Sequence, residues 1–461
     1  MASTETLTSS LGNLSSIFNS RYRGQWEIYS QRSVKTDIQL RKNEPELTLV
    51  AENTGYGVRV IVPKGDKSGI GFASCNSIEN LERTADEAFK IALVNISPRL
   101  QLPYKSQLSQ VQNLDPRIAK DSMAVVKEYV EAVEQAFDSK NEVKLSGAKV
   151  RTYDITTEIL NSEGVDCSNR GSYFYLEMML KIGKGSDVKE YWPSRYARRV
   201  EDLPSDKTIP KWIEATKGMM EKGEPIKTRK YTVILSPPQV CDAFVGTIGF
   251  HASGSAEKRN LSLLKPGEQV AAENLTIVDD GLYPFGLKTK PFDDEGSPQR
   301  VTPIITKGVF ENRLYDKTHA DMLGKESTGN GIRPKAFGAA DVDNSYNVTP
   351  SNLPTNFSVL PGSKTLDELI REVSDGVLVH SVAWINPSLG TTRWGTEIRY
   401  GSRIKSGEIT GAVVGGTLGG STLEMMKRIS GLSNKPEIVS SSEFGCVAPY
   451  MRIEEVDISG E

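Results

Sequence analysis

Histidine is scarce in this chain: His251, His319 and His380 are the only three among 461 residues. Cysteine is nearly as rare, and Cys75, Cys167, Cys241 and Cys446 form no Cys-x-x-Cys pair. That spacing argues against a zinc knuckle or a disulfide framework and fits reduced, partly buried thiols in the cytoplasm. No apolar run approaches the length needed to cross a bilayer, so no membrane association is expected. The Ser/Thr-rich start lacks a basic segment followed by an apolar one, which is not the pattern of a signal peptide. Charge of one sign is also lacking. The 56 basic and 59 acidic residues leave a net charge of −3, which argues against a broad nucleic-acid-binding face. No serine or cysteine sits in a Gly-x-Ser-x-Gly elbow, and no glycine immediately precedes Lys67 as a phosphate loop would require.

What is present is the composition of a globular protein, 38% hydrophobic and 25% charged, in a chain long enough for two or three domains. A short amphipathic pattern over 10–18 leads into strand-like stretches at 26–29, 36–40, 47–52 and 56–62. Asn76 with Glu79 three residues on reads as a helix start, placing Leu81, Ala85, Ala88 and Ala92 on one face. After a polar linker over 103–116 come a helix over 122–137, strands over 151–160 and 172–182, and an amphipathic helix over 209–220. Lys222-Gly223-Glu224-Pro225 reads as a domain boundary, separating an N-terminal region 1–225 (divisible into 1–110 and 117–225) from a C-terminal domain 226–461. Further on, Thr365-Leu366-Asp367-Glu368 is a capping box with Gly376 as the expected stop, and Ser421 opens a helix expected to end at Gly431. The class is α+β with predominantly antiparallel sheets.

Several short strings, in order along nearly the whole chain, resemble those of the TldD/PmbA (TldE) family. In the N-terminal half they are Gly55-Tyr56-Gly57, Gly69-Ile70-Gly71 and Asn161-Ser162-Glu163-Gly164. In the C-terminal half they include Asp279-Asp280-Gly281, Pro291-Phe292-Asp293-Asp294-Glu295-Gly296, Ser327-Thr328-Gly329-Asn330, Ser406-Gly407 and Gly415-Gly416-Thr417-Leu418. The resemblance implies a two-domain α+β fold. It also implies a heterodimer enclosing a chamber, in which unfolded peptides are cut at a zinc ion carried by the TldD subunit.

In TldD-type members a helix carries His-Glu-x-x-x-His, two zinc ligands and the glutamate that activates water. The matching positions here are Val245, Gly246 and Phe250, none of which can bind a metal or accept a proton. The resemblance is therefore closest to the TldE/PmbA subunit. His251 lies one position beyond the second ligand, and a one-residue slip would restore neither the first histidine nor the glutamate; it reads as a helix-end residue meeting carbonyls or solvent. The family's third ligand, a cysteine, would fall near Asn434 or Lys435, whereas Cys446 stands three residues before Pro449 and reads as a packed thiol, as does Cys241. His319 and His380 lie in unrelated segments without a carboxylate at ligand spacing. Asp293-Asp294-Glu295 could in principle hold a hard cation, but the further oxygen ligands at alternating positions are absent and a loop-structuring role is favoured. Asp279-Asp280-Gly281 reads as turn chemistry.

The expectation is a non-catalytic subunit with no metal of its own and no catalytic residue. It would work on unfolded peptides with a zinc-bearing TldD-like partner, and a homodimer could form when it is alone. Two other readings stay open: an independent hydrolase using the acidic cluster, and a homodimeric peptide-binding protein without hydrolytic activity.

Overall fold

The computed structural model describes residues 15–460 except 138–140, 186, 222, 224, 335–343, 414 and 441–444. The start of the amphipathic pattern at Ser10 and the boundary residues Lys222 and Glu224 lie outside the described residues.

Long antiparallel strands build the N-terminal half. β1 (Gln25–Arg41), β2 (Glu44–Lys64) and β3 (Lys67–Cys75) form a meander. Helix α1 (Leu81–Val94) then packs back on β3, with Leu81, Ala85, Ala88 and Ala92 all fully buried. α1 starts at Leu81 after a single 3-10 turn, not at Asn76, and no side chain caps it. Helix α2 (Pro116–Ala136) opens on Asp115, whose carboxylate accepts from the Arg117 N–H at 2.7 Å, and is interrupted at Asp121. It covers β4 (Lys144–Asn161) and β5 (Asp166–Ile182). β4 pairs with β1 from Glu27 to Arg41, so one sheet runs unbroken through both parts of the N-terminal region. Helix α3 (Ser205–Gly218) adds Ile209, Trp212 and Ile213 to the core beneath α2.

The C-terminal half contains a closed ring of strands. β6 (Arg229–Leu235) leads into a helical segment, α4, over 237–251. β7 (Ile277–Asp280), β8 (Val301–Thr306), helix α5 (Lys317–Leu323), β9 (Asn356–Val359) and helix α6 (Leu366–Arg371) follow. Later strands include β10 (Asp375–Val382), β11 (Arg393–Lys405), β12 (Thr417–Ser421), β13 (Glu437–Ser440), β14 (Gly445–Ala448) and β15 (Met451–Ser459). β6 lies between β10 and β15, β15 meets β12, and β12 meets the first half of β11. The second half of β11 returns to β10 and closes the ring. A second sheet of the order β8-β7-β9-β14-β13 stacks beside it, antiparallel except between β9 and β14. One apolar core fills the space between ring and sheet, with Val233, Val379, Ile398 and Ile453 from the first and Ile277, Ile305, Phe357 and Cys446 from the second.

The capping box at Thr365 and Glu368 is formed in full, but α6 ends at Arg371, and Gly376 sits inside β10. Likewise the helix opened by Ser421 ends at Met426, and Gly431 lies in the strand Ile429–Leu432. Both glycines serve close packing: a Cβ would lie 2.4 Å from the Thr232 carbonyl at Gly376 and 2.7 Å from Leu369 at Gly431. Among the described residues, no helix is long and apolar enough to cross a membrane.

Candidate functional site

The segment α4 is wedged between ring and sheet, touching β10, β13 and β14. Ser236 is extended and Pro237 and Pro238 fill the first helical positions, where their missing N–H groups cost nothing. A π turn over Cys241–Val245 follows, and regular helix resumes from Gly246 to His251. The wider turn changes which side chains share a face, a distortion common at functional positions. Val240, Cys241, Ala243, Phe244, Val245 and Ile248 enter the core. The Thr422 hydroxyl donates to the Ala243 carbonyl at 2.7 Å and accepts from Trp394 Nε1 at 3.2 Å, pinning the π turn to the ring.

Asp242, Gly246 and Phe250 form the half-open face. A Cβ on Gly246 would meet nothing within 4 Å, whereas Val245 is 1% exposed and packed on all sides. Asp242 is partly exposed yet closely surrounded by protein, and burial pushes its carboxyl up to about 7. These residues do not fit a zinc ion: the first position points a hydrocarbon into the core, the second has no side chain, and the third is an aromatic ring.

His251 is fully buried, not at the solvent boundary. Its Nδ1 accepts from the Leu263 N–H at 3.2 Å, and Nε2 has no partner among the described residues. Burial lowers its pKa; the nearby Leu389 and Leu261 carbonyls oppose this without reaching hydrogen-bond geometry with Nε2. The backbone here is fixed by Arg313, whose guanidinium donates to the His251 carbonyl at 2.7 Å. His380 lies elsewhere, stacked on Tyr400 and 2.8 Å from the Ser402 hydroxyl, with burial lowering its pKa to about 4. His319 does have a carboxylate neighbour, correcting the sequence reading: its Nδ1 is 2.7 Å from Asp316, the N-cap of α5. Among the described residues, no group of three or more His, Cys, Asp or Glu side chains is arranged to share a metal ion. Cys241 and Cys446 are both buried thiols of the same core.

The sequence model described as the PmbA/TldA metallopeptidase C-terminal domain matches residues 228–460, just over half of the 461. The chain belongs to the PmbA/TldA metallopeptidase family. Models of the family's domain 1 and central domain match residues 26–92 and 116–203. The crystal structure of TldE from Thermococcus kodakarensis has the same fold, with a TM-score of 0.86 at 22% identity over 98% of this chain and 100% of that one. An uncharacterised protein of Methanocaldococcus jannaschii is 25% identical over 423 residues, covering 90% of this chain and 94% of that protein. A metalloprotease TldD homologue of Haemophilus influenzae is 29% identical over 225 residues, 46% of this chain and 45% of the relative.

Three of the quoted strings, 279–281, 291–296 and 327–330, meet in buried hydrogen bonds. Asp293 accepts from the N–H groups of Glu295 at 3.0 Å, Ser297 at 2.9 Å and Gly331 at 2.8 Å. Asp294 accepts from the Arg333 N–H at 2.8 Å and pairs with Lys290. Glu295 holds Arg59 of β2 at 2.7 Å and accepts from the Lys317 N–H at 2.7 Å. Arg59 also reaches Glu27 of β1 at 2.6 Å, so this acidic cluster bolts the N-terminal sheet to the C-terminal loops. Asp280 makes an Asx turn to the Leu282 N–H at 2.9 Å, as turn chemistry predicts. Asp279 does something the sequence did not reveal. It is buried, receives the Thr355 N–H and hydroxyl and the Asn330 amide at 2.7–2.9 Å, and is pushed up to about 6 by burial against those hydrogen bonds.

Proposed function

We propose that the chain is a TldE-like, non-catalytic subunit of a TldD/TldE-type metallopeptidase, completing the chamber in which unfolded peptides are processed. Zinc would reside in a TldD-like partner, and the assembly would be a cytoplasmic heterodimer, with a homodimer formed in the partner's absence. The observation that carries this reading is the state of Val245, Gly246 and Phe250: at the three positions that the sequence resemblance matches to the family's zinc motif, the helix offers a buried hydrocarbon, no side chain and an aromatic ring, and so neither ligand nor base. Support for peptide handling comes from β2, whose residues 44–52 pair with β1 on one side and with no described strand on the other. An open edge of this kind grips extended chains through backbone hydrogen bonds whatever their sequence. An independent hydrolase at Asp293-Asp294-Glu295 has less support, because those carboxylates are engaged by backbone N–H groups, Lys290 and Arg59.

The test is metal content and cleavage of an unstructured protein, for the chain alone and mixed with a TldD-like partner. No zinc and no cleavage alone, with cleavage in the mixture, is the expected result. Stoichiometric zinc and turnover in the isolated chain would overturn the proposal. Persistent inactivity in the mixture, with peptide still bound, would favour the homodimeric peptide-binding protein.

A further inference from the structure

Helix α1 ends in an aliphatic ridge that stays open to solvent. Its inner face is spent on the sheet, where Ala85, Ala88 and Ala92 are fully buried against β3. At the C-terminal end Ile91 is 42% exposed, Leu93 49% and Val94 83%, and Ile96 just beyond is 67% exposed. Side chains as open as Val94 and Ile96 stand out from the surface and do not line a groove. The turn between β2 and β3 fixes the ridge, because Lys64 Nζ donates to the Leu93 and Asn95 carbonyls, each at 2.6 Å, and so satisfies the helix end. The chain then enters a short strand, Ser97–Pro98, paired with the start of β3 so that Lys67 lies opposite Pro98.

The rim of the ridge carries charge of one sign. Lys90 lies one helical turn before Val94, Lys67 faces Pro98, and Arg99 follows it. All three are exposed, and among the described residues none of them forms an ion pair. No Asp or Glu occurs from Ala88 to Leu100. Of the neighbouring carboxylates, Glu87 is held by Arg83 at 3.2 Å, and Asp66 sits in the turn between β2 and β3. Open aliphatic side chains ringed by unpaired cations match an occupant that is apolar and anionic together. A second copy does not qualify, since a two-fold contact through the ridge would set these cations against their own counterparts. The cores of protein interfaces favour Trp, Tyr and Arg anchors and are depleted in lysine, whereas this ridge is aliphatic with lysines at its rim.

We propose that the ridge docks the protein on an anionic lipid surface, with Val94 and Ile96 entering the headgroup boundary and Lys67, Lys90 and Arg99 meeting the lipid phosphates. The expectation of no membrane association rested on the lack of a spanning run, and a surface contact needs none. With so few inserted side chains the contact is peripheral and reversible.

Co-sedimentation of the full chain with vesicles tests this, comparing phosphatidylcholine alone with phosphatidylcholine and phosphatidylglycerol in equal parts. Binding is expected to the anionic vesicles only, and it should fall as salt is raised. The double variant Val94→Ser/Ile96→Ser is expected to bind about tenfold more weakly. Lys67→Gln, Lys90→Gln and Arg99→Gln should each weaken binding about fivefold. These side chains are exposed, so the variants should fold, and thermal melts check that they do. The proposal falls if neither vesicle binds, if both bind equally, or if Val94→Ser/Ile96→Ser binds as well as the parent chain. It also falls if vesicles fail to bind while the same double variant loses its association with a TldD-like partner, which would make the ridge a subunit contact. Neither zinc nor cleavage enters the readout, so this inference and the peptidase reading stand or fall separately.

Discussion

A histidine at position 245 would have to place its imidazole among Val240, Phe244 and Ile248, in a core where the valine is 1% exposed. Burying that polar ring without partners costs about 1–3 kcal/mol, so Val245→His should lower unfolding free energy by this amount in urea denaturation. Gly246→Glu should stay within about 1 kcal/mol, because its Cβ direction is open. Equal losses in the two variants would contradict the packing described. Asp242, one turn earlier, gives a pH test. Its folded pKa of about 7 lies above the unfolded value near ~3.9, so the folded state holds the proton more tightly. Stability from this group is present below pH ~4 and is lost as pH rises through about 7. Asp242→Asn should therefore stabilise the protein at pH 8 and much less at pH 5; a gain independent of pH would show that the carboxylate is not desolvated. The identities of residues 245, 246 and 250 were legible from the string alone. Their opposite environments were not, because the π turn resets the helix face and the covering sheets come from distant parts of the chain. His251 misled for the same reason: its position at a helix end is local, while its burial comes from Leu263 and the 389 region.

Strand β1 shows how element boundaries became hidden. Ser30, Gln31 and Ser33 break the apolar pattern, so one strand of 17 residues reads as two short ones. These polar residues are nonetheless buried: Ser30 donates to Glu158 at 3.4 Å, Gln31 accepts from the Ser345 N–H at 3.0 Å, and the Ser33 hydroxyl has no partner among the described residues. Buried polar faces defeat a reading based on alternation, which assumes that polar means solvent. Glycines carried a clearer message. At Gly69 and Gly71 of β3 a Cβ would lie 1.8 Å from the Ala92 carbonyl and 1.9 Å from the Ala88 carbonyl, so α1 lies against the strand backbone to backbone. The alanine stripe on α1 and the glycines on β3 are two halves of one close approach. Gly71→Val should therefore cost about 3 kcal/mol or more by forcing the helix off the sheet. Gly411→Ala, in the strand Glu408–Val413 with open space around its Cβ, should change stability by less than about 0.5 kcal/mol. Thermal melts of the two variants check the contrast, and a mild Gly71→Val would mean that helix and sheet are not in such contact.

At the scale of the molecule, the α+β class was readable from periodicity and punctuation, whereas the closure of the ring through β10 and β11 was not. Ring closure pairs residues far apart in sequence, and no local pattern encodes which edges meet. The joint between the halves has the same character. Arg59 lies in an N-terminal strand and Glu295 in a C-terminal loop, yet they meet at 2.7 Å with both side chains nearly inaccessible. Breaking such a buried pair from one side leaves an uncompensated charge, at about 3–5 kcal/mol. The two sides are not equivalent. Arg59→Met strands Glu295 and leaves Glu27 only the longer Arg333 contact at 3.3 Å, whereas Glu295→Gln leaves Arg59 still held by Glu27 at 2.6 Å. Arg59→Met should thus be the more damaging in urea denaturation. The double variant should lose less than the sum of the singles, with a coupling of about 1–3 kcal/mol, since Glu295→Gln removes one of the two carboxylates that Arg59→Met exposes. Strict additivity would mean that the N-terminal sheet and the C-terminal loops are held together by something other than this bridge.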